Sequence, residues 1–88
     1  MYNIRFREVA FQQLEKATKR DFRKSEIIKK KLLQVRENPY QFKPLRAPLH
    51  GLRRAHVDKS FVIAYSIDEL QKTVIIEGYD HHDNIYKK

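Results

Sequence analysis

The chain has 88 residues and a mass of 10.7 kDa, one small domain where a second core would need roughly 100 to 200 residues of its own, so a multidomain enzyme is excluded. Hydrophobic residues make up 41% and charged residues 34%, with two glycines and three prolines, a composition too apolar and too poor in breakers for disorder. Nineteen Lys and Arg against 11 Asp and Glu leave a net charge of +8, which points to a polyanion or an acidic protein as partner.

Taken in chain order, Tyr2, Ile4 and Phe6 alternate with Asn3, Arg5 and Arg7, the period-2 pattern of a strand with one buried face. From Val9 the period lengthens. Ala10, Leu14 and Ala17 recur at helical spacing with Phe11 and Thr18 beside them, which predicts a helix ending near Lys19 to Asp21. Asp21 is placed to cap a second helix. Its stripe is Ile28, Leu32 and Val35, flanked by Phe22, Ile27 and Leu33, and its polar face carries Arg23, Lys24, Lys29, Lys30, Lys31 and Arg36. Asn38-Pro39 stops it, because proline disfavours helical geometry at the preceding residue and has no amide donor. A basic loop from Tyr40 to Gly51 follows.

Three strands come next, over Leu52 to Asp58, Phe61 to Asp68 and Thr73 to Tyr79. The links between them are too short for parallel crossovers, so they form antiparallel hairpins. The expected fold is α+β in the order βααβββ, a single domain over residues 1–88. Two N-terminal helices pack on one face of a curved, mostly antiparallel four-stranded sheet and leave the other face open. Charge divides along this order: residues 1–60 sum to +10 and residues 61–88 to −2.

No cysteine is present, which excludes a disulfide framework, a thiolate zinc site and a cysteine nucleophile, and fits a cytoplasmic location. The longest unbroken apolar run, Phe61 to Tyr65, is far too short to span a membrane. With only Gly51 and Gly78 available, neither a phosphate-cradling loop nor a dinucleotide-binding glycine motif can be built.

Two segments concentrate reactive side chains. In the strand from Leu52, Arg54, His56 and Asp58 share one face while Ala55 and Val57 turn to the helices. Near the C-terminus, Glu77 to Tyr86 holds His81, His82 and two tyrosines, and a helical turn there would set His82 and Tyr86 at i and i+4. Asp80, His81, His82 and Asp83 offer nitrogen and oxygen ligands, but adjacent residues seldom converge on one ion, so no metal and no cofactor is expected. Metal-free cleavage of RNA needs a base for the 2′-hydroxyl, an acid for the leaving oxygen and cations for the phosphorane. Histidine suits either proton role and arginine the third. Arg53, Arg46, His50, His81, Lys29 and Lys30 are the expected substrate-binding residues. A solvated polar strand face and packing roles for Tyr86 and the histidines are the competing readings.

The runs Leu49 to Asp58, Phe61 to Asp68 and Gly78 to Tyr86 resemble the RelE/ParE superfamily of toxins from type II toxin-antitoxin pairs, and within it most closely the YafQ-type and RelE-type endoribonucleases. The resemblance implies a ribosome-dependent mRNA endoribonuclease that inhibits translation, with mRNA in the ribosomal A site and ribosomal RNA as partners. It also implies a cognate antitoxin, small and with an acidic or amphipathic C-terminal segment. Carried over by position, His82 is the general acid, His56 the base or second proton donor, Arg54 the phosphate-binding cation and Tyr86 the terminal aromatic. The chain departs from its relatives at Val62, where RelE-type chains often carry arginine, at Ser60, where the YafQ type is acidic, and at Ala47, where it has histidine; Asp58 and His50 stand near the last two. Two alternatives remain, a ParE-like inhibitor of DNA gyrase and a non-catalytic RNA-binding protein.

Overall fold

A computed structural model describes residues 1–45 and 51–85, together with the backbone but not the side chain of Tyr86. The elements are β1 Asn3–Phe6, α1 Glu8–Thr18, α2 Phe22–Glu37, a 3₁₀ turn Pro39–Gln41, β2 Arg53–His56, β3 Phe61–Asp68, β4 Thr73–His81 and α3 His82–Tyr86. The sheet order is β1-β4-β3-β2, with β1 parallel to β4 and the other two pairs antiparallel. The expected βααβββ architecture therefore holds, with a short C-terminal helix added.

Local chemistry sets the boundaries. Asp21 Oδ1 accepts the Lys24 N–H at 2.9 Å and opens α2. At the other end Asn38 Oδ1 accepts the Tyr40 N–H at 3.2 Å and starts the 3₁₀ turn that Pro39 imposes. Gly51, at φ 103, takes a backbone conformation that favours glycine as the chain enters β2. β2 is shorter than the periodicity predicts, because Asp58 Oδ1 accepts from Ser60 N at 2.8 Å and Phe61 N at 2.9 Å and turns the chain.

Ala10 and Leu14 of α1 and Ile28 and Val35 of α2 pack on Ala55, Ile63, Tyr65, Val74, Ile76 and Tyr79. Phe22 and Leu33, expected beside this stripe, are exposed, as is Phe11. Where β1 ends, Gln13 of α1 takes over its role at the β4 edge: Gln13 Oε1 accepts the Tyr79 N–H at 2.9 Å. Opposite this, β3 and β4 slip register between Ala64 and Tyr65. Glu77, skipped in the pairing, accepts from Arg7 Nε at 3.1 Å and Ser66 Oγ at 2.7 Å.

The second sheet face differs from expectation. It is partly covered, because Leu45 and Ile85 of α3 pack with Leu52 over Val62 and Ala64. An open sheet bearing Val62 and Ala64 would leave apolar area in water, and the C-terminal turn removes it. At the far end of the β3–β4 hairpin, Glu69 accepts from Tyr2 Oη at 2.8 Å, Tyr40 Oη at 2.5 Å and Lys72 Nζ, tying β1 and the 3₁₀ turn to the hairpin. Lys72 first, then the two tyrosines, lowers its carboxyl to about 2.

Candidate active site

The opposite end of the hairpin, where Phe61 pairs with His81, carries the reactive groups. On β2, Arg54 and His56 stand opposite Ala64 and Val62 of β3, so both leave the helix-covered face to which Ala55 belongs. Two residues apart on one strand, they touch: Arg54 Nη1 lies 3.5 Å from each ring nitrogen of His56. Partial burial, then the charges of Arg54, His82 and Lys31, hold His56 below its ordinary proton affinity. His56 pairs with Val62 and His81 with Phe61 on β3, so the register sets His56 and His82, 26 positions apart, at the same end of the sheet.

A groove beside them is lined by Lys31, Gln41, Phe42, Lys43, Arg54 and His56. Its cations come from three elements. Arg54 is on β2, Lys43 pairs backbone to it through the Arg54 N–H to Lys43 O bond at 3.1 Å, and Lys31 reaches over from α2 with its Nζ 5.3 Å from the Phe42 ring centre. Lys31 and Lys43 were not among the sequence-derived candidates. Lys31 was legible in principle: it sits at i+3 from Ile28 and i−4 from Val35, so it flanks the buried stripe. Lys29 pairs with Glu26 at 3.7 Å, and both Lys29 and Lys30 are exposed on α2 rather than lining this groove.

His82 opens α3, and its backbone N–H donates to Ser60 O at 2.7 Å. Asp80 prepares that turn by accepting from His81 N at 2.7 Å and Asn84 Nδ2 at 3.2 Å. The His81 and His82 rings stack with centres 4.7 Å apart, and the Asp83 carboxylate lies 3.1 Å from His82 Nδ1 and 3.6 Å from His81 Nδ1. Three consecutive side chains thus converge, with donor atoms all within 4.8 Å of one another. Adjacent residues seldom converge in this way, and here the chain's change of course explains it. The strand ends at His81 and the helix begins at His82, so the alternation of a strand no longer separates them.

Other candidates have internal tasks. Arg53 donates to Phe42 O at 2.7 Å and Tyr40 O at 3.4 Å and stacks over the Tyr40 ring, on the helix side of β2. The Asp58 carboxylate is held below its usual range, first by the Ser60 N–H and then by that of Phe61, as an anchor of the β2–β3 turn. Tyr86 is the last residue of α3, one turn beyond His82 in backbone position. Its side chain, and the candidates Arg46 and His50, lie outside the described residues. No helix among the described residues is long and apolar enough to cross a membrane.

The model of the ParE toxin of the type II toxin-antitoxin system parDE matches residues 4–86. A Methanocaldococcus jannaschii protein that carries the provisional name toxin RelE4 is 47% identical over 88 residues, covering all of this chain and 94% of that protein. The solved toxin-antitoxin complex RelBE2 from Mycobacterium tuberculosis contains a chain 28% identical, with a TM-score of 0.73 over 91% of this chain and 96% of that one. YafQ from E. coli shares the fold at 20% identity, with a TM-score of 0.69 over 98% and 99% of the two chains. The chain is a toxin of the RelE/ParE superfamily of type II toxin-antitoxin systems, a member of the ParE toxin family.

Proposed function

We propose that this toxin is a ribosome-dependent mRNA endoribonuclease that cleaves by attack of the 2′-hydroxyl, without a metal in the reaction. The observation that carries the reading is a histidine of lowered proton affinity touching an arginine, with a second histidine at the same end of the sheet. A neutral His56 accepts the 2′-hydroxyl proton as the oxygen attacks phosphorus. Arg54 donates to the non-bridging oxygens, where negative charge grows in the phosphorane. His82 gives its proton to the departing 5′-oxygen, so the products are a 2′,3′-cyclic phosphate and a 5′-hydroxyl. Tyr86 orients the phosphate or stacks on a base. Lysines of α2 hold ribosomal RNA, and the antitoxin, acidic or amphipathic, complements the basic surface.

The depressed proton affinity of His56 fixes the pH behaviour. Its neutral form persists below the ordinary histidine value of about 6.5, so the acid limb of kcat/KM should fall below that pH. Lys31→Gln removes a nearby positive charge and makes the imidazolium easier to form, so both the acid limb and the NMR titration of His56 should move up. A limb that stays fixed in Lys31→Gln while the NMR titration of His56 moves would remove His56 from the role of base. End analysis of the products gives a second check, since a 5′-phosphate would contradict 2′-hydroxyl attack.

One observation favours a second reading: the matching family model is that of the ParE toxin, and the superfamily resemblance includes a ParE-like gyrase inhibitor. Such a function needs no proton-transfer pair, and the Arg54, His56 and His82 arrangement would then be incidental.

A further inference from the structure

We propose that His81, His82 and Asp83 form a binding site for a divalent transition-metal ion whose occupation switches the toxin off. The binding rests on the geometry of these three side chains alone; the inhibition rests also on the ribonuclease reading, in which the His82 ring carries a proton.

Two imidazoles and a carboxylate are a donor set that zinc takes readily, and three protein donors leave a fourth position for water. In a tetrahedral site with bonds of about 2.0 to 2.2 Å, neighbouring donors lie about 3.3 to 3.6 Å apart. The Asp83 carboxylate stands 3.1 Å from His82 Nδ1 through Oδ1 and 3.6 Å from His81 Nδ1 through its other oxygen, Oδ2. All three donor atoms fall within 4.8 Å of one another, so they start near one point, and the imidazole pair must turn out of its stack to aim both nitrogens at one ion.

The rings lie side by side, and binding must unstack them, because each imidazole lone pair lies in its own ring plane. His81 and His82 stack with 25° between planes, and the edge of the pair rests on Phe61, whose ring centre is 5.6 Å from that of His81. One interaction competes: His81 Nδ1 accepts the Asp83 N–H at 3.2 Å and must give it up to bind a metal. Binding therefore comes at the cost of that hydrogen bond and of the ring stack. An ion on the His82 ring would block its proton transfer and add positive charge beside His56 and Arg54.

Zinc chloride titrated into the full chain near pH 7, followed by calorimetry, should give one ion per chain. Asp83→Asn and His81→Gln should each weaken binding at least about tenfold, the loss that even an outer partner of a metal ligand causes, with circular dichroism confirming the fold. In NMR the His81 and His82 ring signals should shift together. Binding no tighter than millimolar, or unchanged affinity in both variants, overturns the site. Zinc should also slow mRNA cleavage by the wild type reversibly with EDTA, and Asp83→Asn, normalised to its own metal-free rate, should lose that sensitivity. If the wild type cuts no RNA at all, the ribonuclease reading fails and the titration alone decides whether the site exists.

Discussion

Replacing His82 with alanine should slow cleavage of ribosome-bound mRNA by about 10²- to 10⁴-fold, the usual worth of a positioned acid or base. The fold should survive the change. His82 is half-exposed at the start of α3, and the bond that anchors the turn runs from its backbone N–H to Ser60 O, which alanine keeps. The cover over the second sheet face is made by Ile85, not by the imidazole. His56→Ala should cost a similar factor. The double variant should be far less than multiplicatively worse, because acid and base serve one step. Single-turnover rates on programmed ribosomes measure all three. A His82→Ala protein that cuts at the wild-type rate would leave the imidazole with no part in the chemistry.

The largest stability effect should come from Tyr65. Its ring is fully buried in the main core, and its hydroxyl donates to Pro39 O at 2.5 Å, tying β3 to the 3₁₀ turn after α2. Burial pushes the phenol up to about 12, so it remains a donor at any physiological pH. Tyr65→Ala should cost about 3 to 5 kcal/mol by analogy with other aromatic truncations, much of the stability a domain this small holds. Tyr65→Phe isolates the hydrogen bond and should cost about 1 to 3 kcal/mol, since the Pro39 carbonyl is left unpaired. Tyr79 is the contrast. Its buried hydroxyl finds no hydrogen-bond partner among the described residues, so Tyr79→Phe should be neutral or stabilising. Urea unfolding followed by circular dichroism orders the three variants.

Periodicity was enough to order the elements, because each helix and strand buries one face and its spacing records which. Asp21 and Asn38-Pro39 marked the ends of α2 through cap chemistry and proline geometry that act locally. What depended on distant contacts was harder to see. The parallel pairing of β1 with β4 joins residues about 70 apart, and no spacing encodes it. The cover formed by Leu45 and Ile85 required knowing that Val62 and Ala64 face away from the helices. Phe22 and Leu33 read as flanks of the buried stripe but stand in solvent, since helical spacing gives an angle and not the width of the neighbouring surface.

The same division holds for the candidate site. Arg54 and His56 share a strand face by simple alternation, and the sequence places them together. Arg53 and Asp58 are equally polar and equally close in sequence, yet one bonds to backbone carbonyls and the other anchors a turn. Residue type could not separate these tasks; the partners on the 3₁₀ turn and the β2–β3 turn do. Lys31 and Lys43 border the His56 groove only because α2 and the loop before β2 meet at the sheet edge, whereas Lys29 and Lys30 next to Lys31 turn outward.

The proposal that this toxin acts by cutting mRNA is tested most directly by primer extension on purified ribosomes carrying a defined mRNA, with a gyrase supercoiling assay run on the same protein. Cuts in the A-site codon that vanish in His56→Ala and His82→Ala are expected, with full gyrase activity at every dose. Intact mRNA together with dose-dependent loss of supercoiling would contradict it.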